Sequence, residues 1–146
     1  MIALLQRVTH ATLRIDGQEY SRIGAGLVVL LGLEKDDDES RADRMLQRLL
    51  SYRVFADDGG RMNRSLQDIA GDLMLVSQFT LAATTDKGLR PGFSSAMPPE
   101  AAEPLYDYMV NRAREELGAR LATGCFGADM KVALENDGPV TFLLRG

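Results

Sequence analysis

The stretch GLVVLLGL, residues 26–33, is the strongest structural signal in the chain. It contains no charged or polar side chain, and it is too short for a typical helix of its own. Apolar residues do not alternate with polar ones along it, which indicates a strand covered on both faces. The stretch therefore predicts a central strand with structure on both sides of its sheet.

Further strands are predicted on both sides of this stretch. The segment before it shows a turn at Asp16–Gly17 between short β-like runs, and DLMLVSQFT at 72–80 is apolar until it ends in polar residues. The last part of the chain gives two more runs across a turn of Asn, Asp, Gly and Pro at 136–139. The remaining predicted strands are Ile2 to Val8, Ala11 to Ile15, Tyr20 to Ile23, Met130 to Leu134 and Val140 to Leu144.

Two segments have the apolar spacing of helices. The first begins after an N-cap at Asp37 or Asp38, and the second opens with Pro98 and Pro99 and ends at Gly118. Their apolar stripes repeat at 3.6-residue spacing. The stripes are Ala42, Met45, Leu46, Leu49 and Leu50 in the first helix, and Ala102, Leu105, Tyr106, Met109, Ala113 and Leu117 in the second. Residues 57–60 form a turn, and residues 84–97 form a long surface loop.

These elements predict an α+β (mixed α/β) fold, with a mostly β, sheet or barrel-like core and two main helices. Strands outnumber helices too heavily for a repeated βαβ fold. No repeat, low-complexity tract or long linker divides the sequence, so residues 1–146 are expected to form a single domain.

Composition excludes several functional classes. The 17 basic and 21 acidic residues give a net charge of −4, which argues against wrapping a long nucleic acid but allows binding of one end in a local pocket. Much of the acidity lies in EKDDDESRAD, residues 34–43, which we interpret as a solvated helix start. One cysteine and one histidine exclude an internal disulfide and Cys-cluster or multi-His metal sites, so no metal or cofactor is expected. No membrane span or secretory signal is visible, and a cytoplasmic location is expected.

Three segments place polar or unusual backbone groups where chemistry is possible. Ser77 to Thr80 carries hydroxyl, amide and backbone N–H groups, which either bind a carbonyl and its developing oxyanion or only satisfy nearby backbone. The segment 136–141 is either a plain turn or, if Gly138–Pro139 is cis, a rigid pair of carbonyls. Phe126 and Met130 are either core residues or an apolar wall for a flat base.

Other candidates are weaker. Cys125 is interpreted as a buried small hydrophobe, and His10 has no neighbouring Ser or Cys that it would activate. Lys87 and Arg90 in the long loop are either phosphate contacts or simply solvated.

The order of these segments resembles one family, the D-aminoacyl-tRNA deacylases. The opening MIALLQRVTHA and the stretch GAGLVVLLGLEKDDDE are similar to the same family, so the resemblance spans the chain. Short motifs such as SQFT or GPVT alone are weak, but their combination in this order is highly specific. The matching segments are LVSQFTLAA at 75–83, RPGFSSA at 90–96, LYDYMV at 105–110, TGCFGADMKV at 123–132 and NDGPVTFLL at 136–144.

The resemblance implies a homodimer that hydrolyses the ester between a D-amino acid and the terminal adenosine of tRNA, and that also removes glycine. Its partners would be the 3′ acceptor end of aminoacyl-tRNA and a second copy of the chain, with no DNA or membrane. Gly138 and Pro139 match the family's Gly-cisPro motif, which reaches into the partner's pocket and excludes an L side chain. The other matching positions are Ser77, Gln78, Phe79 and Thr80 for catalysis, Phe126 and Met130 for the adenosine and aminoacyl site, and Arg7 for holding the selector.

Two mechanisms follow. Thr80 attacks the ester itself, for which the sequence supplies no convincing base, or the protein positions the ester while the tRNA 2′-hydroxyl helps to activate water. The second needs no side-chain base and is favoured. The alternative functions are a module that binds aminoacyl-tRNA or D-amino compounds without hydrolysis, and a general esterase for small D-esters.

Overall fold

The computed structural model describes residues 1–146. It contains eight strands, two helices and two short 3-10 turns, Phe79–Ala82 and Gly118–Arg120. In chain order the strands and helices are β1 (Ile2–Ile15), β2 (Gln18–Ile23), β3 (Gly26–Gly32), α1 (Glu39–Ser51), β4 (Phe55–Ala56), β5 (Met62–Arg64), β6 (Asp72–Ser77), α2 (Pro99–Leu117), β7 (Leu121–Thr123) and β8 (Lys131–Arg145).

The apolar strand predicted at residues 26–33 is central in the sheet. β3 pairs with β1 antiparallel on one side and with β6 parallel on the other, and nearly all of its residues are buried. β7 extends the sheet beyond β6, while β2 and β8 flank β1. Gly26 allows the close approach of β3 and β6, because a Cβ there would lie 1.9 Å from the Asp72 carbonyl oxygen. The prediction of a strand covered on both faces is confirmed.

The sheet curls into a nearly closed barrel. β2 lies at one end of the strand order and approaches β7 at the other end, where Ser21 Oγ donates a hydrogen bond to the Thr123 carbonyl at 2.8 Å. The predicted α+β class with a barrel-like core and two main helices is confirmed. No helix in the structure is long and apolar enough to cross a membrane.

Both helices pack on one face of the sheet and form the larger hydrophobic core. Every residue of the two predicted apolar stripes is buried there. Asp38 caps α1 by accepting a hydrogen bond from the Arg41 amide at 2.8 Å, and Gly118 follows α2 with a φ of +57°. A smaller cluster on the opposite face of the sheet includes Val28, Met74 and Val76. This second face carries the cleft described below.

Two predictions about the long strands are wrong. The runs at 2–8 and 11–15 form one strand, β1, and the two runs at the end of the chain form one strand, β8. Both halves of β8 pair with β1, so the chain does not reverse at 136–139. Asn136 faces Val8 and Thr141 faces Gln6, which leaves residues 137–140 looped out opposite Arg7. We call residues 137–140 the bulge segment.

The acidic run is only partly solvated, contrary to the prediction. The Asp37 side chain is fully buried, and its Oδ1 lies 2.7 Å from the Met1 amino group. Its Oδ2 accepts a hydrogen bond from the Glu34 amide, and Glu34 Oε2 lies 2.8 Å from the same amino group. This part of the run therefore neutralises a buried cation.

Candidate active site

A cleft of about 670 Å³ opens on the sheet face opposite the packed helices, at the end where β6 stops and α2 begins. Its walls are mostly apolar, with polar groups at Gln6, Ser77, Gln78 and Asp129. Apolar clefts with few polar groups are typical of sites that bind small molecules or one end of a larger ligand. The apolar lining residues include Val28, Leu30, Val76, Phe79, Pro99, Phe126, Met130, Val132 and Leu134.

Strand alternation explains most of the wall. Val28 and Leu30 of β3 point to the same side, as do Val132 and Leu134 of β8, because side chains two residues apart share a face. These four residues were not predicted as site residues. The signal was the alternation in MKVALE, since the continuous apolar run of β3 shows no preferred face.

The predicted residues at the end of β6 lie at the cleft, except for one. The backbone N–H of Gln78 donates to the Leu31 carbonyl at 2.7 Å and holds the end of β6 against β3. Ser77, Gln78 and Phe79 line the cleft. Thr80 does not line it; its exposed Oγ1 accepts a hydrogen bond from Gln78 Nε2. No carboxylate or imidazole is hydrogen-bonded to Thr80.

Phe126 and Met130 both line the cleft, and the loop that carries them packs on α2. The Tyr106 hydroxyl donates to the Leu75 carbonyl at 2.9 Å, and the Gly124 amide donates to the same oxygen at 3.0 Å. The Phe126 and Tyr106 rings lie 6.0 Å apart. Burial raises the pKa of Tyr106 above that of a free tyrosine, so its hydroxyl remains a donor in alkaline solution as well as at neutral pH.

Gly138 and Pro139 lie outside the cleft of their own chain. They are exposed in the bulge segment, and the peptide bond between them is cis. Gln6 faces the cleft and the next residue, Arg7, faces the other side of the sheet, as alternation requires. The cleft and the bulge segment therefore share a strand but not a surface.

Arg7 fixes the bulge segment. Its Nε donates to the Asp137 carbonyl at 3.0 Å, its Nη1 donates to the Val54 carbonyl at 2.6 Å, and Asp137 Oδ2 lies 3.3 Å from Nε. Gly138 has a φ of +128°, and a Cβ there would lie 2.8 Å from Val140 Cγ2. Only glycine fits this backbone without a shift.

The remaining candidates are away from the cleft lining. His10 is exposed, with Nδ1 3.0 Å from Thr9 Oγ1, and Cys125 is half-buried. Lys87 and Arg90 are exposed on the loop between Thr84 and Met97. The structure contains no group of three or more His, Cys, Asp or Glu that could hold a metal ion.

The fold and the cleft are those of a binding or catalytic α+β domain. Its apolar pocket ends in hydroxyl, amide and backbone groups. A family profile described as D-Tyr-tRNA(Tyr) deacylase matches residues 4–145. D-aminoacyl-tRNA deacylases of Cronobacter sakazakii and Stutzerimonas stutzeri are 56% and 58% identical to the chain over 145 residues, covering 99% of both sequences in each case. A solved structure titled c-Myc DNA Unwinding Element Binding Protein is 38% identical and superposes with a TM-score of 0.95, covering 100% of this chain and 99% of the other.

The chain belongs to the D-Tyr-tRNA(Tyr) deacylase family. It is a hydrolase that acts on D-aminoacyl-tRNA.

Proposed function

We propose that the enzyme hydrolyses the ester of D-aminoacyl-tRNA and of glycyl-tRNA, and rejects L-aminoacyl-tRNA through Gly138 and Pro139 of a partner subunit. The observation that supports this most directly is the separation of the two regions within one chain. The cleft has apolar walls and catalytic-type polar groups, while Gly138 and Pro139 are exposed on a braced bulge segment elsewhere. A second copy brings such a segment to the cleft.

A homodimer would complete the cleft and cover the exposed bulge segment at the same time. Under two-fold symmetry each bulge segment docks in the cleft of the other subunit, so one contact made twice completes two sites. Arg7 keeps the bulge segment in one conformation before docking, which avoids an ordering cost on assembly. Dimer formation also covers Gly138 and Pro139, which are exposed in the single chain.

Selection between D- and L-aminoacyl substrates follows from backbone carbonyls placed in the cleft. The carbonyl oxygens of Gly138 and Pro139 accept hydrogen bonds from the substrate ammonium group and occupy the volume that an L side chain requires. A D side chain points away from them, and glycine has none to exclude. The site rejects one hand and need not fit each side chain, so it accepts many D-amino acids.

The polar end of the cleft positions the ester for hydrolysis. Backbone N–H groups at Phe79 and Thr80, where β6 passes into the 3-10 turn, stabilise the oxyanion. Phe126 and Met130 form the wall for the terminal adenosine. Thr80 has no base in hydrogen-bond contact, which favours activation of water by the tRNA 2′-hydroxyl over attack by Thr80. Orientation alone is worth roughly 7–11 kcal/mol of barrier.

The experiment is deacylation of D-Tyr-tRNA, L-Tyr-tRNA and Gly-tRNA by the purified protein with a chelator present. We expect rapid loss of the D and glycyl esters while the L ester stays intact. Equal loss of both hands would leave an esterase and contradict the selector. No loss of any ester would favour a binding module. A D-tyrosyl ester that lacks the adenosine hydroxyls is expected to resist hydrolysis, whereas a general esterase would cleave it. We expect the enzyme in the cytoplasm, because aminoacyl-tRNA is used there.

A further inference from the structure

Two aromatic rings stand exposed beside the cleft. Phe79, on the cleft rim, is 61% exposed and Phe93 is 42% exposed, and their ring centroids lie 5.2 Å apart at an interplanar angle of 47°. Most other large apolar side chains are buried. Two adjacent exposed rings at the mouth of a site mark a surface that a ligand covers. We call these two rings the aromatic pair.

The loop carrying Phe93 is tied at its base. The amide of Thr84 donates to the Gly92 carbonyl at 2.8 Å, the amide of Gly92 returns a bond to the Thr84 carbonyl at 2.9 Å, and the Met97 amide donates to the Leu33 carbonyl at 3.0 Å. These bonds hold Phe93 against Phe79. The chain between Thr84 and Gly92 projects from this base, and it is exposed throughout.

The projecting part of the loop carries two uncommitted cations. Lys87 and Arg90 are exposed, and neither side chain makes a hydrogen bond or an ion pair within the chain. By contrast, Arg22, Arg64, Arg112 and Lys131 are each paired with a carboxylate. Because the chain has a net charge of −4, binding of a polyanion depends on local groups of unpaired cations, and Lys87 and Arg90 form one such group on the loop that carries Phe93.

We propose that the aromatic pair and this loop bind the unpaired nucleotides of the tRNA that precede the terminal adenosine. One base stacks on the aromatic pair, and Lys87 and Arg90 contact the neighbouring phosphates. The inference rests on the proposed function, because the terminal adenosine and its ester must occupy the adjoining cleft. Exposed aromatic rings beside cations are the combination that single-stranded nucleic acid requires. Phe79 belongs to both surfaces, so the nucleotide chain passes from one to the other without a gap.

The test compares two substrates that share the reacting ester: D-Tyr-tRNA and 3′-O-(D-tyrosyl)adenosine, which has no preceding nucleotide. The variants are Phe93→Ala and the double variant Lys87→Ala/Arg90→Ala. We expect Phe93→Ala to raise KM for D-Tyr-tRNA about tenfold. We expect the double variant to flatten the slope of log(kcat/KM) against log[salt] by about 1.4, the loss of two single-strand phosphate contacts. Neither effect should appear with the adenosine ester.

The matched control is Arg44→Ala/Arg114→Ala, which removes the same charge from exposed positions on the two helices. It should leave the salt slope for D-Tyr-tRNA at the wild-type value. Equal losses on both substrates, no loss on either, or a changed dimer mass in sedimentation would overturn the inference. Wild-type activity on D-Tyr-tRNA is measured first, before any variant is compared. Failure of the wild-type enzyme to cleave this substrate would overturn the proposed function and not only this inference.

Discussion

The cleft and the bulge segment are built by opposite means. Much of the cleft wall consists of side chains on paired strands, and two of them, Val28 and Val76, are buried in the smaller core cluster beneath it. The bulge segment lies outside the strand ladder, with Asp137, Gly138 and Pro139 exposed, and Arg7 fixes its position by bonding the carbonyls of Asp137 and Val54.

The difference matches what each region is proposed to recognise. An apolar wall tolerates small shifts, since contact with a flat base is spread over many atoms. Choice between two hands depends on where individual acceptor atoms lie. Changes in the bulge segment should therefore alter discrimination between D and L substrates, while changes around the cleft should alter binding, rate or stability.

The largest effect is expected for Gly138→Ala. A Cβ at φ +128° is strained and would collide with Val140, which moves the carbonyls of the bulge segment. The ratio of kcat/KM for D-Tyr-tRNA to that for L-Tyr-tRNA should fall roughly 100-fold, equivalent to about 2.7 kcal/mol. Gly17→Ala is the matched control, because Gly17 also has a positive φ, +75°, but lies in open space. An unchanged ratio in Gly138→Ala would separate the bulge segment from chiral selection.

Arg7→Lys should give the next largest effect. Lysine keeps the charge but cannot reach two carbonyls with a planar fork, so one of the two hydrogen bonds is lost. The D to L ratio should fall about tenfold, the equivalent of one charge-assisted bond. Arg7→Ala should lower it further, whereas Arg44→Ala, on the exposed side of α1, should not change it. Equal ratios for the lysine and wild-type enzymes would mean that charge alone holds the bulge segment.

Tyr106→Phe tests the support beneath the cleft wall. The Leu75 carbonyl keeps its bond from Gly124, so the variant should lose only about 1 kcal/mol of stability and about 3 °C in Tm. Because burial raises the pKa of Tyr106, the folded state favours the protonated phenol. Wild-type stability from this group is thus present at lower pH and is lost as pH rises above about 10. The difference in free energy of unfolding between wild type and Tyr106→Phe should therefore become smaller at alkaline pH, as measured by urea unfolding. A constant gap would show that the phenol is not protonated selectively in the folded state.

Thr80→Ala should have the smallest effect. Thr80 lies outside the cleft lining, and its Oγ1 accepts a hydrogen bond only from Gln78, so we expect kcat for D-Tyr-tRNA within about tenfold of wild type. Single-turnover kinetics with saturating enzyme separates the chemical step from binding. Complete loss of the chemical step with unchanged affinity would identify Thr80 as the nucleophile.

Much of the fold could be predicted from the sequence because the signals were local. The continuous apolar run of β3, the 3.6-residue stripes of both helices and the Asp38 cap each depend on residues close in sequence. The continuity of β1 and β8 could not be predicted in the same way. Asn, Asp, Gly and Pro serve a reversal and a bulge equally well, and only pairing of both halves with β1 distinguishes them.

In the candidate site, too, residues with local sequence signals were predicted, and residues that depend on distant pairing were not. Ser77, Gln78, Phe79, Phe126 and Met130 were predicted from motifs and do meet at one cleft. Alternation in MKVALE shows that Val132 and Leu134 share a face, but only the register of β8 against β1 shows that this face lines the cleft. Burial of Asp37 was missed because its cationic partner, the Met1 amino group, lies 36 residues away in sequence.

The most direct measurement of the central claim uses mixed dimers. One subunit carries Gly138→Ala, and the other carries Ala128→Trp, which fills the cleft. If each site combines the cleft of one subunit with the bulge segment of the other, the mixed dimer contains one intact site. Purified mixed dimers should then regain the wild-type ratio of D- to L-Tyr-tRNA hydrolysis at about half the wild-type rate. Mixed dimers that discriminate no better than the Gly138→Ala enzyme would contradict the account.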